Sequence, residues 1–219
     1  MSAQAVTALA TDGTLFGPDK IFTYLFLTIG PTKALGPFAK TTAGAEPSAQ
    51  RSLALKGVAI ATLGLVATGF VGQSTVKSWG VSLPALIVAG GIILFLVAIR
   101  SVLDVYSDPA PSPTPRPALT TAMALQPLAF PTIVPPYGIA VVILLLSIEP
   151  TQTLTIVGIL VLMMVLNLAA MLFARPILGI LGLPLQLVAN VLTVLQVALA
   201  IEMIIFAFRL GLPAFYSSH

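Results

Sequence analysis

A chain of 219 residues in which 58% are hydrophobic and only 8% charged, with a mean hydropathy of +1.06, has too little polar surface to clothe a soluble domain. Cysteine is absent, which excludes disulfides and thiolate metal sites. A net charge of +3 is too sparse and scattered for a nucleic-acid surface and serves instead as a topology signal. The composition is that of an integral membrane protein. Several apolar runs exceed the roughly 18 residues a bilayer-crossing helix needs, and the strict alternation of barrel strands is missing, so the spans are helices. With 18 prolines and 17 glycines, many inside those runs, the helices must be broken where neighbours or a wet cavity can satisfy the freed backbone groups.

In chain order, residues 1–20 lack the basic start, apolar middle and cleavage site of a secretory signal and read as a polar external tail. Segment 1 runs from Ile21 to Lys40 and carries Gly30-Pro31 and Gly36-Pro37. Proline removes a backbone donor and pushes the residue before it out of helical geometry, so this span becomes short pieces of about 15 Å each. Thr41 to Ser52 reads as an aqueous linker. Segment 2, Leu53 to Val76, carries Gly57, Gly64, Gly69 and Gly72, small residues that let backbones approach closely. Lys77 and Trp79 mark an interface. Segment 3 runs from Leu83 to Val102 and contains Ala89-Gly90-Gly91.

The proline-rich stretch 104–117 can be neither helix nor strand and divides the chain into two near-equal halves, 21–103 and 118–210. Segment 4, Ala118 to Ile148, is broken at its centre by Pro127, Pro131, Pro135 and Pro136, and its regular part restarts at Pro136. Segment 5 runs from Thr151 to Ala174 and ends at Arg175-Pro176; segment 6 runs from Leu183-Pro184 to Phe208, leaving 211–219 as a tail. Leu83-Pro84, Val88-Ala89 and Val97-Ala98 recur one hundred residues later as Leu183-Pro184, Val188-Ala189 and Val197-Ala198. Together with the paired breaks in segments 1 and 4, this reads as an all-α protein of six transmembrane helices built from two three-helix repeats. An odd number of spans per repeat makes the second copy inverted. With both termini external, six basic residues (Lys40, Arg51, Lys56, Arg100, Arg116, Arg175) fall on the cytoplasmic side and three (Lys20, Lys77, Arg209) outside, as the positive-inside rule requires.

Tyr24-Leu-Phe-Leu-Thr-Ile-Gly-Pro31, Ser82-Leu-Pro-Ala-Leu-Ile-Val-Ala-Gly-Gly91, Pro127-Leu-Ala-Phe-Pro131, Leu181-Gly-Leu-Pro184 and Val197-Ala-Leu-Ala-Ile-Glu-Met203 occur in an order and spacing that resembles the MarC family of bacterial inner-membrane proteins, which are related to amino-acid exporters of the LysE type. The resemblance covers Phe22 to Gly211 and implies a six-helix inner-membrane protein with neutral amino acids as one class of cargo. It departs at both breaks: the family's Asn-Pro-(apolar)-Gly stands here as Gly30-Pro31-Thr32-Lys33, and its Gly-Pro-Gly as Pro135-Pro136-Tyr137. The family's late Gln is Glu202 here.

Two interruptions in matched segments point to a substrate site in a transporter. Its expected residues are Gly30, Pro31, Thr32, Lys33, Thr132, Pro135, Pro136, Tyr137, Asn190 and Gln196. The prolines expose helix ends whose free N–H groups attract a carboxylate; the alternative is kinks buffered by Thr28, Thr32 and Thr132. Lys33, about 18 Å along segment 1, is either a counter-charge in a cavity or a lysine that snorkels to the interface. Asn190, Thr193 and Gln196 are three apart and are expected on one stripe; interhelical hydrogen bonding is the default for them and for Asn167. Glu202 is a solvated carboxylate, a lysine's partner or an ion relay. No HExxH helix or nucleophile elbow is present and the only histidine is terminal His219, so neither an enzyme nor a metal or cofactor is expected. Besides the bilayer and a small solute, a second copy or a partner subunit is open. The competing function is a non-transporting accessory or assembly subunit, in which side chains would fill the site.

Overall fold

The computed structural model describes residues 16–105 and 122–216. Residues 1–15 of the tail, 106–117 of the proline-rich stretch, 118–121 at the expected start of segment 4, and 217–219 lie outside them. Every regular element among the described residues is helical. The main helices are α1 (Pro18–Ile29), α2 (Pro31–Thr41), α3 (Pro47–Ser78), α4 (Leu83–Val105), α5 (Pro136–Ile148), α6 (Thr153–Leu172) and α7 (Ala174–Tyr216). A wide-wound stretch, Ala124–Ile133, precedes α5, and a single 3-10 turn, Pro150–Gln152, precedes α6.

Proline sets most of these starts. Pro18, Pro31, Pro47 and Pro136 each open a helix behind a residue held extended, Gly17, Gly30, Glu46 and Pro135. The missing N–H costs nothing in a first turn, where no intrahelical acceptor exists. Glu46-Pro47 is thus a helix start, and the aqueous linker expected over Thr41 to Ser52 shrinks accordingly. The end of α3 is a glycine cap: Gly80 takes φ 64°, and Val81 N–H reaches back to the Val76 carbonyl at 3.1 Å.

Segment 1 breaks at Gly30-Pro31 as expected but not at Gly36-Pro37, for α2 continues through Pro37. The carbonyl that Pro37 deprives belongs to Lys33, beside the cavity that Pro37 itself lines, so the bonding deficit falls on open polar space and not on lipid. Segment 4 is broken where expected: Gln126 and Phe130, each preceding a proline, have non-helical φ/ψ, and Ala124–Ile133 and Pro136–Ile148 meet at 62°. Segments 5 and 6 end and begin differently. The helix α7 starts at Ala174 and passes through both Pro176 and Pro184 to Tyr216, which also takes in most of the expected tail 211–219. Pro176 lies in the first turn, where it removes no bond, and Pro184 forgoes one bond without ending the helix.

Among the described residues four helical stretches are long and apolar enough to cross a membrane, namely Pro47–Ser78, Leu83–Arg100, Pro150–Leu172 and Leu187–Arg209, with the bent pair around Pro135 a fifth if it crosses as one span. The pieces of segment 1, at 12 and 11 residues, are each too short to span. Exposed Leu63, Leu96, Leu154, Val194 and Phe208 line outer faces that suit lipid.

The packing is reciprocal. The broken pair α1 and α2 packs on α6, and the broken pair around Pro135 packs on α3, while α3 and α6 touch each other and α4 and α7 form the most extensive pair. The glycines of α3 make this possible. A Cβ on Gly57 would stand 2.6 Å from Leu128, on Gly64 2.7 Å from Phe130 and on Gly69 2.8 Å from Val142. Gly91 likewise admits Ile204 and the Ala200 carbonyl, so the Ala89-Gly90-Gly91 run serves close helix packing.

Candidate functional site

The first break leaves a carbonyl to be satisfied. With Pro31 starting a new helix, Lys33 N–H turns to the Gly30 carbonyl at 3.3 Å and the Ile29 carbonyl loses its intrahelical donor. Asn167, buried on α6, supplies one: its Nδ2 donates to Ile29 O at 2.8 Å and to Met163 O at 2.9 Å. The interhelical role expected of Asn167 is therefore a specific one, capping the end of α1. Thr28, also buried, turns inward to its own helix, donating to Tyr24 O at 2.7 Å.

At the second break Pro135 is extended and Pro136 opens α5, with Gly138 N–H bonded to Pro135 O at 2.9 Å. The two interruptions meet. A Cβ on Gly138 would lie 2.6 Å from Ile29 Cγ2, so only a glycine lets the breaks come this close. The amides of Thr32 and Tyr137 hold the second position of α2 and α5, where a helix offers no acceptor, and neither makes a hydrogen bond among the described residues.

Beside this junction lies a cavity of about 310 Å³, lined by Thr32, Lys33 and Pro37 from α2, Pro131, Thr132, Pro135 and Tyr137 from the second break, and Ala189, Leu192, Thr193 and Gln196 from α7. Lys33 does not snorkel away. Its Nζ donates to Gln196 Oε1 at 2.7 Å and to the Tyr137 hydroxyl at 3.1 Å, and it sits 4.8 Å from the centre of the Tyr137 ring, within cation–π range. Because the Gln196 oxygen faces Lys33, the amide nitrogen is turned the other way. Gln196 is 1% exposed, and its Nε2 has no hydrogen-bond partner among the described residues. Thr193 bonds its own helix at Ala189 O, 2.9 Å away. No Asp or Glu is among the lining residues.

Of the residues expected from the sequence, Thr32, Lys33, Thr132, Pro135, Tyr137 and Gln196 come together on this wall; Gly30, Pro31 and Pro136 shape the breaks behind it without lining it. Asn190 does not join them and is exposed. A spacing of three falls about 60° short of a full turn at each step, so the stripe Asn190, Thr193, Gln196 drifts off one face, and the face that lines the cavity is Ala189, Leu192, Thr193 and Gln196. Pro37 and Pro131 are further lining residues that their own helix-breaking chemistry could have suggested.

A second cavity of about 260 Å³ is lined by Phe16, Lys20 and Tyr24, by Ile87 of α4, by Val141, Leu144, Leu145 and Ile148 of α5, and by Glu202, Met203 and Phe206 of α7. Glu202 is exposed on its rim. Along α7 the two cavities are separated by the turns between Gln196 and Met203, about 10 Å, with Ala200 fully buried between them. Thr28 holds the corresponding place between Tyr24 and Thr32 and is equally buried.

Glu149 was not anticipated. It is 1% exposed, and its carboxylate accepts from Phe16 N–H at 2.8 Å and from Gln152 Nε2 at 3.2 Å. Gln152 Nε2 also donates to the Phe16 carbonyl at 2.7 Å. A charged residue directly before Pro150 was the signal available, and it pins the chain entering α1 to the end of α5.

No curated protein and no solved structure matches the chain. The family model described as MarC family integral membrane protein matches residues 19–211. This match covers both breaks, the wall of the cavity and all the helices that frame it: the chain belongs to the MarC family of integral membrane proteins.

Proposed function

We propose that this protein transports a small solute across a bacterial inner membrane and holds it between the two broken helices. The observation that carries the reading is the junction of the breaks. Ile29 touches Gly138, Lys33 reaches Tyr137 and Gln196 across it, and open space remains beside them. Discontinuous helices meeting at a cavity are how many transporters build a site at mid-membrane. The second cavity, a turn or two further along α7, is consistent with the same reading, in which a carrier needs space on each side of its site.

In this reading α1 and α2 together make the sixth crossing, and the reciprocal packing of α1–α2 on α6 and of the second break on α3 follows from an inverted duplication. Both termini are external, and no catalytic step is involved. An accessory subunit predicts side chains filling the junction; an open cavity walled by an unpartnered amide favours transport. The test is counterflow of radiolabelled alanine and of small organic acids in proteoliposomes, with Lys33→Ala as control. Counterflow by the native protein that falls at least tenfold in the variant supports transport. Absence of counterflow for every solute assigns the chain to the subunit class.

A further inference from the structure

The cavity's polar groups are one-sided. Two helices begin at its wall, and the amides of Thr32 and Tyr137 in their first turns make no hydrogen bond among the described residues. Lys33 has three N–H donors and spends two on Gln196 and Tyr137. The Tyr137 hydroxyl accepts from Lys33, which leaves its own proton to give. Gln196 is the independent observation. Its side chain is 1% exposed, its oxygen is held by Lys33, and its Nε2, on a residue that lines the cavity, has no hydrogen-bond partner among the described residues. A buried amide donor left empty is costly unless something fills it.

All of these groups donate. No carboxylate stands among the wall's residues and the hydroxyl of Thr193 is turned to its own helix; the acceptors left are neutral, the hydroxyls of Thr32 and Thr132 and the Lys33 carbonyl that Pro37 frees. Nothing on the wall would neutralise a positive charge, and helix N-termini with a lysine oppose one. We infer that the cavity selects a small free oxyanion, a carboxylate or phosphate-sized group carrying net negative charge, and discriminates against zwitterions and cations. The anion accepts from Gln196 Nε2 and the remaining Lys33 N–H, with the two helix starts behind it. This deepens the transport reading and rests on the cavity being the solute site; it narrows the cargo away from neutral amino acids, whose ammonium group would face Lys33 and find no carboxylate to pair with.

Four probes share a three-carbon skeleton and separate charge from shape: propionate, propionamide, alanine and n-propylammonium. Binding is followed by calorimetry on the full chain in phosphatidylcholine nanodiscs, with inorganic phosphate as a second oxyanion. Propionate is expected to bind at least tenfold more tightly than propionamide and alanine, and n-propylammonium not at all. The Gln196→Glu variant keeps the side chain's shape and still pairs with Lys33 but replaces the free donor with an acceptor; its propionate affinity falls at least tenfold while its thermal unfolding midpoint holds. Exposed Asn190→Ala leaves the affinity unchanged. Equal binding of propionamide or alanine, or propionate binding indifferent to Gln196→Glu, overturns the inference. Repetition in phosphatidylglycerol nanodiscs separates the sources: propionate binding that persists supports a free oxyanion, whereas its loss there assigns the cavity to a lipid headgroup and overturns it. Counterflow of alanine without propionate selectivity would remove the charge class and leave transport standing. Propionate binding that depends on Lys33 and Gln196 without counterflow would do the opposite.

Discussion

Lys33 Nζ lies 2.7 Å from Gln196 Oε1, across 163 residues of sequence. The contact ties the helix that restarts after the first break to the last helix of the chain, and the Tyr137 hydroxyl, 3.1 Å from the same nitrogen, adds the second break. Three separate elements therefore converge on one ammonium. The solute site proposed above is organised by that convergence.

Removing the ammonium should disable the site without dissolving the fold. In Lys33→Met the aliphatic stem is kept and both hydrogen bonds are lost. Counterflow in proteoliposomes is expected to drop at least tenfold. The unfolding free energy should change by about 1 kcal/mol, because each interhelical hydrogen bond in a membrane protein contributes on the order of 1 kcal/mol or less. Equal activity in the variant would remove Lys33 from the mechanism.

The cap on α1 should be visible as stability. Asn167→Ala strips the donor from the Ile29 carbonyl and from Met163 O, at a site where Asn167 is 1% exposed. A loss of about 1 kcal/mol is expected in reversible unfolding by detergent. Asn190→Ala, exposed on α7, should stay within about 0.5 kcal/mol of the native protein. If the two variants are equally stable, the break at Gly30 does not depend on α6.

Glycines that admit a neighbour can be told from those that do not. A Cβ on Gly64 would meet Phe130 Cζ at 2.7 Å, and one on Gly91 would meet Ile204 Cγ1 at 2.8 Å, whereas Gly158 faces nothing within 4 Å. Gly64→Val and Gly91→Val should each cost about 1–3 kcal/mol by overpacking. Gly158→Ala, in the middle of α6, should be neutral or stabilising by up to about 1 kcal/mol through helix propensity. Thermal unfolding of the three variants in one detergent checks the contrast.

Much of this architecture is written locally in the chain. Proline acts on its own turn and on the residue before it, so Gly30-Pro31 and Pro135-Pro136 could be read as helix starts from sequence, and the glycines of α3 announced a close neighbour. The same local logic misjudged Pro37, Pro176 and Pro184: Pro176 falls in a first turn, where it removes no bond, Pro184 forgoes a single bond, and Pro37 lies beside a cavity assembled by elements far away in the chain. Helical spacing at three residues placed Asn190 with Gln196, and the 3.6-residue turn rotated it away. That Lys33 would find Gln196 and Tyr137, or that Glu149 would hold the Phe16 amide, depends on contacts between distant segments that no local pattern encodes.

The link between Glu149 and Phe16 gives a separate check on the chain entering α1. Glu149→Leu removes the acceptor of the Phe16 amide. Hydrogen bonds to charged groups contribute about 1.5–3 kcal/mol, so exchange of that amide should accelerate by roughly tenfold or more. Unchanged protection would mean that other contacts hold this stretch.

Because the native chain contains no cysteine, one introduced thiol reports on access without interference. Thr193→Cys puts it on the wall of the cavity beside Gln196. Membrane-impermeant maleimide is applied to each face of oriented vesicles in turn, with and without propionate. A carrier with alternating access predicts labelling from both faces, with propionate shifting the balance between them. Labelling from one face only, at a rate that propionate leaves unchanged, would contradict passage of a solute through the junction of the two breaks.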